Sequence, residues 1–204
     1  MNVCTQDWLA PLTKWLSTAL NVIRKESDLA KYYSGVGSRK TPKEILEVIR
    51  DIATFLAKEG YILRSGGAEG ADLTFEVGAD VVDRTLKEIY IPWDGFQNRN
   101  EGEGDVFIRG GCPKALDIVS KVHPAWEKLS RGARALHARN VYQVLGKDLN
   151  TPSSFLICYA LELSEGQVKG GTNTAVQIAR QNNIQVLNLY NENTLKSLLK
   201  RIGQ

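Results

Sequence analysis

Apolar positions recur at three- and four-residue steps over residues 5–30. Trp8, Leu9, Leu12, Trp15, Leu16, Ala19, Leu20 and Ile23 form one stripe there, which predicts an amphipathic helix. From residue 31 the pattern changes to short apolar runs alternating with helical stretches. Strands are predicted over 31–36, 61–64, 87–91, 154–158 and 185–189. The helix after the first strand carries Ile45, Leu46, Ile49, Ile52, Ala53 and Leu56 on one face. Thr41 reads as its N-cap, with Pro42 in the first turn and Glu44 reaching back; Gly60 reads as its stop. Further helical patterning covers roughly 70–84, 114–145, the segment opened by Gly170 and Gly171, and 193–202. Residues 92–113, rich in Gly, Asn and charge, predict a long loop of the kind that carries function.

Strands alternating with helices imply an α/β domain: a parallel sheet covered on both faces, three layers in all. Five strands are expected, in the order 3-2-1-4-5. The chain then divides into a short N-terminal helical arm, residues 1–30, and one domain, residues 31–204.

Composition narrows the class without naming a function. The chain has 204 residues, enough for one large domain with a small appendage. Hydrophobic residues at 43% and charged residues at 24% exclude disorder as the main state. The formal net charge of +3 is too small to announce a nucleic-acid binder by bulk electrostatics. Cys4, Cys112 and Cys158 are scattered and odd in number, which fits free thiols in a reducing cytoplasm. His123 and His137 stand far from any cysteine pair, so no metal site is expected. No run approaches the ~18 apolar residues of a membrane span, and the N-terminus lacks a charged region leading into an apolar one, so neither a membrane nor a secretory signal is expected. The two tryptophans of the N-terminal stripe need a partner surface, on their own domain or a second subunit; a homo-oligomer, dimer or higher, is the expectation.

Three loops leave predicted strands and open helices: Gly35-Val-Gly37-Ser38-Arg39, Ser65-Gly66-Gly67-Ala68-Glu69-Gly70-Ala71-Asp72, and Gly170-Gly171-Thr172-Asn173-Thr174. Glycines let backbone N–H groups approach an anion, and the helix N-terminus behind them adds free donors and partial positive charge. In open α/β sheets ligands bind beyond the carboxyl ends of the strands, so the three loops are expected to share one phosphate-binding pocket. No G-K-[ST] is present, which excludes a P-loop nucleotidase.

The segment GVGSRKTP, the helix after it and LRSGGAEGAD resemble the opening of the SLOG superfamily of Rossmann-type domains, which includes the DprA/Smf and LOG-like proteins. HARNVYQVLG resembles the R-N segment of DprA-like proteins, and SFLICYA with KGGTNTAVQIARQNNIQVLNL resembles the last strands and second glycine loop of the superfamily. With the IPWDGF loop, the combination looks most like DprA-like proteins carried by bacteriophages. The resemblance covers about residues 31–190 and leaves out the arm.

It implies a Rossmann-like fold and three possible roles. The first is recognition of a nucleotide-derived small molecule, with ADP-ribose-like (including cyclic ADP-ribose) or cyclic-nucleotide chemistry. The phage likeness adds sequestration of a host defence signal, in the host cytoplasm, as its use. The second is DprA-like binding of single-stranded DNA in recombination. The third is hydrolysis of a nucleoside-phosphate N-glycosidic bond. Ligand contacts are expected at Gly37, Ser38, Arg39, Ser65, Gly66, Gly67, Glu69, Asp72, Trp93, Arg139, Asn140, Gly170, Gly171, Thr172, Asn173 and Thr174. No catalytic residue, cofactor or metal ligand is assigned.

The hydrolase signature P-G-G-x-G-T-x-x-E, laid on this chain, puts its proline on Lys169, its third glycine on Asn173, its threonine on Thr174 and its glutamate on Gln177. Glutamine neither accepts a proton as a general base nor stabilises an oxocarbenium-like charge. Binding without turnover is therefore favoured, with Glu69 or Asp72 as the substitutes that keep hydrolysis open. For DNA, Arg39, Lys40, Lys43, Arg64, Arg99, Arg109, Arg131, Arg134 and Arg139 supply charge, and Trp93 and Phe96 supply stacking faces.

Overall fold

A computed structural model describes residues 30–163 and 166–203. The N-terminal helix read over residues 5–30 lies outside the described residues, apart from Ala30.

The described chain runs β1 (Lys31–Gly37), α1 (Lys43–Lys58), β2 (Tyr61–Ser65), α2 (Ala71–Asp80), β3 (Lys87–Ile91), β4 (Val106–Ile108), α3 (Pro113–Val122), a 3-10 turn (Trp126–Lys128), α4 (Arg131–Leu145), β5 (Phe155–Tyr159), α5 (Thr172–Gln181), β6 (Gln185–Asn188) and α6 (Glu192–Arg201). All pairings between these strands are parallel, in the order β4-β3-β2-β1-β5-β6. The five predicted strands stand in the expected order 3-2-1-4-5. The sheet has six strands rather than five: β4, only three residues long, lies within the segment read as loop and adds an edge beside β3.

Side chains alternate between the two faces of the sheet with the period of a strand. Along β5, Leu156 and Cys158 enter one core with Val141, Val176 and Ile178, while Ile157 enters the other with Tyr33, Ile49 and Phe75. Helices α3, α4 and α5 cover the first face, and α1, α2 and α6 the second. A third cluster, Ala68, Ile89, Ile91, Phe96 and Val106, seats the 92–105 segment against the edge. Among the described residues no helix is long and apolar enough to cross a membrane.

Local signals explain most element ends, with two corrections. Gly60 stops α1 with φ +77, a conformation that costs glycine little. Ser130 caps α4 by accepting from the Ala133 N–H at 3.2 Å. Thr41, however, is not the cap of α1: its hydroxyl donates to the Ser38 carbonyl at 2.8 Å, and Pro42 occupies the cap position. The helical patterning over 114–145 is two helices, because Pro124 interrupts it and the chain turns through residues 126–128.

Strand order reverses at β1, whose neighbours are β2 on one side and β5 on the other. The connection after β1 crosses to one face and that after β5 to the other, so their loops part and leave a crevice. The candidate site lies there.

Candidate functional site

A cavity of about 360 Å³ opens at this switch point. Gly37, Ser38 and Arg39 line it from the end of β1, Ala68 and Asp72 from the second loop, and Lys169 to Thr172 from the third. Helix α4 closes the remaining side with Leu136, His137, Arg139, Asn140 and Gln143; Val36 and Ala175 complete the wall. The three glycine-bearing loops therefore meet in one cavity.

Its entrance is cationic and rich in donors. Arg39, Lys169, Gly170 and Gly171 are exposed. Neither Arg39 nor Lys169 has a carboxylate within ion-pair distance among the described residues. The N–H groups of Gly170, Gly171 and Thr172 have no acceptor among the described residues. They sit at the N-terminus of the ten-residue α5, where the first N–H groups have no intrahelical partner and the helix dipole favours negative charge. Gly171 has an ordinary helical φ of −62, and a Cβ built on it would meet nothing within 4 Å. Protein sterics do not require glycine there; its missing side chain leaves the helix N-terminus open to the cavity.

Beneath the entrance lies a buried ion pair. The Arg139 guanidinium stands 3.6 Å from the Asp72 carboxylate, also donates to the Gly66 carbonyl, and packs over Phe96. A Cβ on Gly66 would collide with the guanidinium, so this glycine allows the close approach. Asp72 also accepts the Gly37 N–H at 3.1 Å, which ties the first loop to α2. Burial pushes the Asp72 carboxyl up, while Arg139, the Gly37 and Ala68 N–H groups and Arg39 pull it back. Asn140 donates to the Gly171 carbonyl at 3.2 Å and ties the third loop to α4.

Two further residues of α4 face the cavity and carry no expected role. His137 Nδ1 lies 2.7 Å from the Thr174 hydroxyl, and its ring meets His123 edge-on. Burial, His123 and Arg139 lower its pKa from 6.5 to about 4, so it is neutral at pH 7. Gln143 is 1% exposed, and both heteroatoms of its carboxamide lack a hydrogen-bond partner among the described residues. A buried polar group left unpaired costs about 1–3 kcal/mol. Lys169, in the third loop at the place of the hydrolase proline, also lines the cavity without an expected contact role.

Of the sixteen sequence-derived contacts, Gly37, Ser38, Arg39, Asp72, Arg139, Asn140, Gly170, Gly171 and Thr172 line this cavity. The other seven stand elsewhere. Ser65 is buried and donates to the Gly35 carbonyl. Gly66 offers its carbonyl to Arg139, and Gly67 (φ +61) faces Ile89 and Arg99. Glu69 is exposed beside the second loop. Asn173 accepts from the Val168 N–H, and Thr174 meets His137. Trp93 lines a separate cavity of about 860 Å³ with Arg131 and Arg134. Gln177, at the hydrolase glutamate position, donates to the Gly166 carbonyl and to Asn173.

Several of the arginines considered for DNA are already engaged. Arg64 is 2% exposed, pairs with Glu88 at 2.7 Å and stacks on Tyr32. Arg99 pairs with Glu76 at 2.8 Å, and Arg139 with Asp72. Phe96 is buried under Trp93 and Arg139.

No family model and no curated protein matches the chain. Solved structures similar to it include the Moco carrier protein of Chlamydomonas reinhardtii (14% identity, 84% of each chain covered, TM-score 0.47). DNA processing protein A (DprA) of Streptococcus pneumoniae matches at 19% identity over 78% of this chain and 50% of that one, TM-score 0.47. DprA of Helicobacter pylori matches at 16% identity over 84% of this chain and 81% of that one, TM-score 0.36.

Proposed function

We propose that this domain binds a small, phosphate-bearing nucleotide derivative at the switch-point cavity and does not turn it over. One observation carries the proposal. Arg39 and Lys169, with no carboxylate partner among the described residues, and the N–H groups of Gly170, Gly171 and Thr172, with no acceptor among them, converge on one cavity that continues inward to a buried, partly apolar wall. Backbone donors and flexible cations suit phosphate, and the interior suits the rest of a nucleotide. Among the described residues Asp72 is the single carboxylate of the lining, and it is occupied by Arg139 and the Gly37 N–H.

The finer identity follows from the sequence resemblance. ADP-ribose-like or cyclic-nucleotide signals are the favoured ligands, and sequestration of a host defence signal by a phage protein is the proposed use. A cytoplasmic setting agrees with the free thiols of Cys112 and Cys158. Self-association rests on the N-terminal apolar stripe, and loss of mass in light scattering after removal of residues 1–29 tests it.

Calorimetry with AMP, ADP-ribose, cyclic ADP-ribose and cyclic dinucleotides tests the binding, followed by denaturation and chromatography of the ligand. A bound ligand recovered intact is the expected result. Free base or ribose phosphate in the eluate overturns the non-catalytic reading.

A second reading, single-stranded DNA, has one observation in its favour. Trp93 is 42% exposed and lines its cavity with Arg131 and Arg134, an aromatic face beside two guanidinium groups.

A further inference from the structure

The cavity that Trp93 lines, about 860 Å³, shares no lining residue with the switch-point cavity. Three stretches of chain enclose it: residues 92–93 after β3, residues 110–116 leading into α3, and residues 129–135 opening α4. Pro92, Leu116, Leu129 and Ala135 give it an apolar wall. Trp93 stands in that wall exposed, although Phe96 meets its ring edge-on. Gly132 explains why the indole stays open. A Cβ at that position would stand 3.9 Å from the Trp93 ring and meet no other residue within 4 Å, so packing does not call for glycine there.

Two arginines of the same lining have bonding capacity to spare. Arg131 is exposed and has no carboxylate within ion-pair distance among the described residues. The Arg134 guanidinium lies 4.9 Å from the centre of the Trp126 ring, a cation–π contact that steadies it. Its Nη2 donates to the Glu127 carbonyl at 3.4 Å and reaches the Glu127 carboxylate at 3.5 Å, while its accessible Nη1 has no partner among the described residues. Glu127 is 89% exposed, and a pair so exposed holds Arg134 weakly. The surroundings do not suit a strand. Asp94, next to Trp93 in the chain, accepts the Glu101 N–H at 3.2 Å, and Glu127 stands beside Arg134. A polyanion would run against these carboxylates, whereas a molecule with one anionic group meets only the two guanidinium groups.

We infer that the Trp93 cavity is a second ligand site, for a small molecule that joins a flat aromatic ring to a single anionic group. The ring lies against the Trp93 indole, and the anion accepts from Arg131 and Arg134. Neither half suffices: the apolar wall and indole favour the ring, and the guanidinium groups favour the charge. A nucleoside monophosphate has this chemistry. The site stands whether or not the switch-point cavity holds a nucleotide, because the two linings are separate.

The indole N–H signals of the four tryptophans report the site by heteronuclear NMR, with Trp93→Phe identifying the Trp93 signal. Three probes divide the ligand: AMP, adenosine (which lacks the anion) and ribose 5-phosphate (which lacks the ring). AMP should move the Trp93 signal saturably, and each of the other two should bind there about tenfold or more weakly, the scale of losing the stack or the charged hydrogen bonds. Gly171→Val, at the other cavity, should leave this titration unchanged. Gly132→Leu puts a side chain against the indole at a helical position where glycine is a poor helix former. It should abolish the AMP response with the melting temperature unchanged or higher.

An AMP titration that releases heat but leaves the Trp93 signal in place overturns the inference and leaves the switch-point proposal standing. A Trp93 response to AMP that persists in Gly171→Val supports the second site even where the switch-point proposal fails. Adenosine or ribose 5-phosphate binding as tightly as AMP overturns the two-part ligand, and this comparison needs no variant to fold. An AMP response retained in Gly132→Leu also overturns it, since the ring would then lie elsewhere. A Trp93 signal that moves with a single-stranded oligonucleotide and not with AMP replaces the small ligand by a strand.

Discussion

Arg139 and Asp72 place a guanidinium and a carboxylate 3.6 Å apart, both buried, directly beneath the loops that form the cavity. The pair reaches three chain segments. Asp72 holds the Gly37 N–H of the first loop, and Arg139 holds the Gly66 carbonyl of the second from its seat on α4. It therefore acts as the frame of the site, with the ligand-facing groups mounted around it.

Breaking that frame from one side leaves a buried charge alone. Arg139→Met and Asp72→Asn should each destabilise the domain by about 3–5 kcal/mol, the scale for removing one partner of a buried pair. The double variant should lose less than the sum, because neither charge is then stranded. Urea unfolding of the three variants measures this. Single-variant losses below about 1 kcal/mol would place the pair with surface ion pairs, which contribute little.

Two glycines of the site should respond oppositely to an added side chain. At Gly66 a Cβ collides with the Arg139 guanidinium, so Gly66→Ala should lower the melting temperature. At Gly171 a Cβ meets no protein atom within 4 Å, and the backbone is helical, so Gly171→Val should fold normally. The valine would stand over the N–H groups at the start of α5, and nucleotide binding should fall by about tenfold or more, roughly one charge-assisted hydrogen bond. Thermal unfolding and calorimetry on both variants check the contrast. Unchanged affinity in Gly171→Val would remove the third loop from the phosphate site.

Sheet order was legible in the chain because parallel strands, buried on both faces, read as continuous apolar runs separated by helical periods. β4 was not: Val106, Phe107 and Ile108 are too few for a period to show, in a segment dominated by Gly and charge. The loops were legible as well, since glycine spacing and helix starts are local signals. The α4 wall of the cavity was only half legible. Arg139 and Asn140 came from family likeness, whereas nothing in the pattern of this helix singles out His137 or Gln143. Hydrophobic periodicity distinguishes polar from apolar positions. It does not distinguish a polar side chain in a cavity from one in water, and the sheet that buries Gln143 is distant in sequence. Arg64 shows the converse error. It was counted as a groove cation, yet its place in a central strand buries it, and Glu88 with the Tyr32 ring supplies the compensation.

His137 makes the domain sensitive to mild acid. Its folded pKa of about 4 lies below the ordinary value of 6.5, chiefly because burial disfavours the imidazolium. Between those two values the unfolded chain binds the extra proton and the folded chain does not. Stability from this group is therefore complete above about pH 6.5 and is lost as pH falls toward 4. His137→Phe should flatten the dependence of urea midpoint on pH across that window. An equally steep dependence in the variant would assign the acid sensitivity to other groups.

Small-ligand and single-strand binding are separated by salt and by which side chains matter. In the cavity reading, phosphate meets Arg39, Lys169 and the N–H groups of Gly170, Gly171 and Thr172. Arg39→Ala should cost about 1.5–3 kcal/mol, the worth of a hydrogen bond to a charged group, and Lys169→Ala a comparable amount. A ligand with few phosphates, held partly by uncharged backbone donors, releases few counterions, so its affinity should vary shallowly with salt. A DNA strand spanning the Trp93 cavity would neutralise several phosphates, each adding about −0.7 to the log–log slope. Trp93→Ala together with Arg131→Ala and Arg134→Ala should then leave nucleotide binding at the switch-point cavity within about threefold of the unaltered protein, because none of the three lines that cavity. The decisive measurement is fluorescence titration of a labelled oligonucleotide beside calorimetry of AMP, each at several salt concentrations. A steep slope for the oligonucleotide, its loss in the Trp93 triple variant, and no saturable AMP binding would together move the function from the switch-point cavity to the Trp93 face.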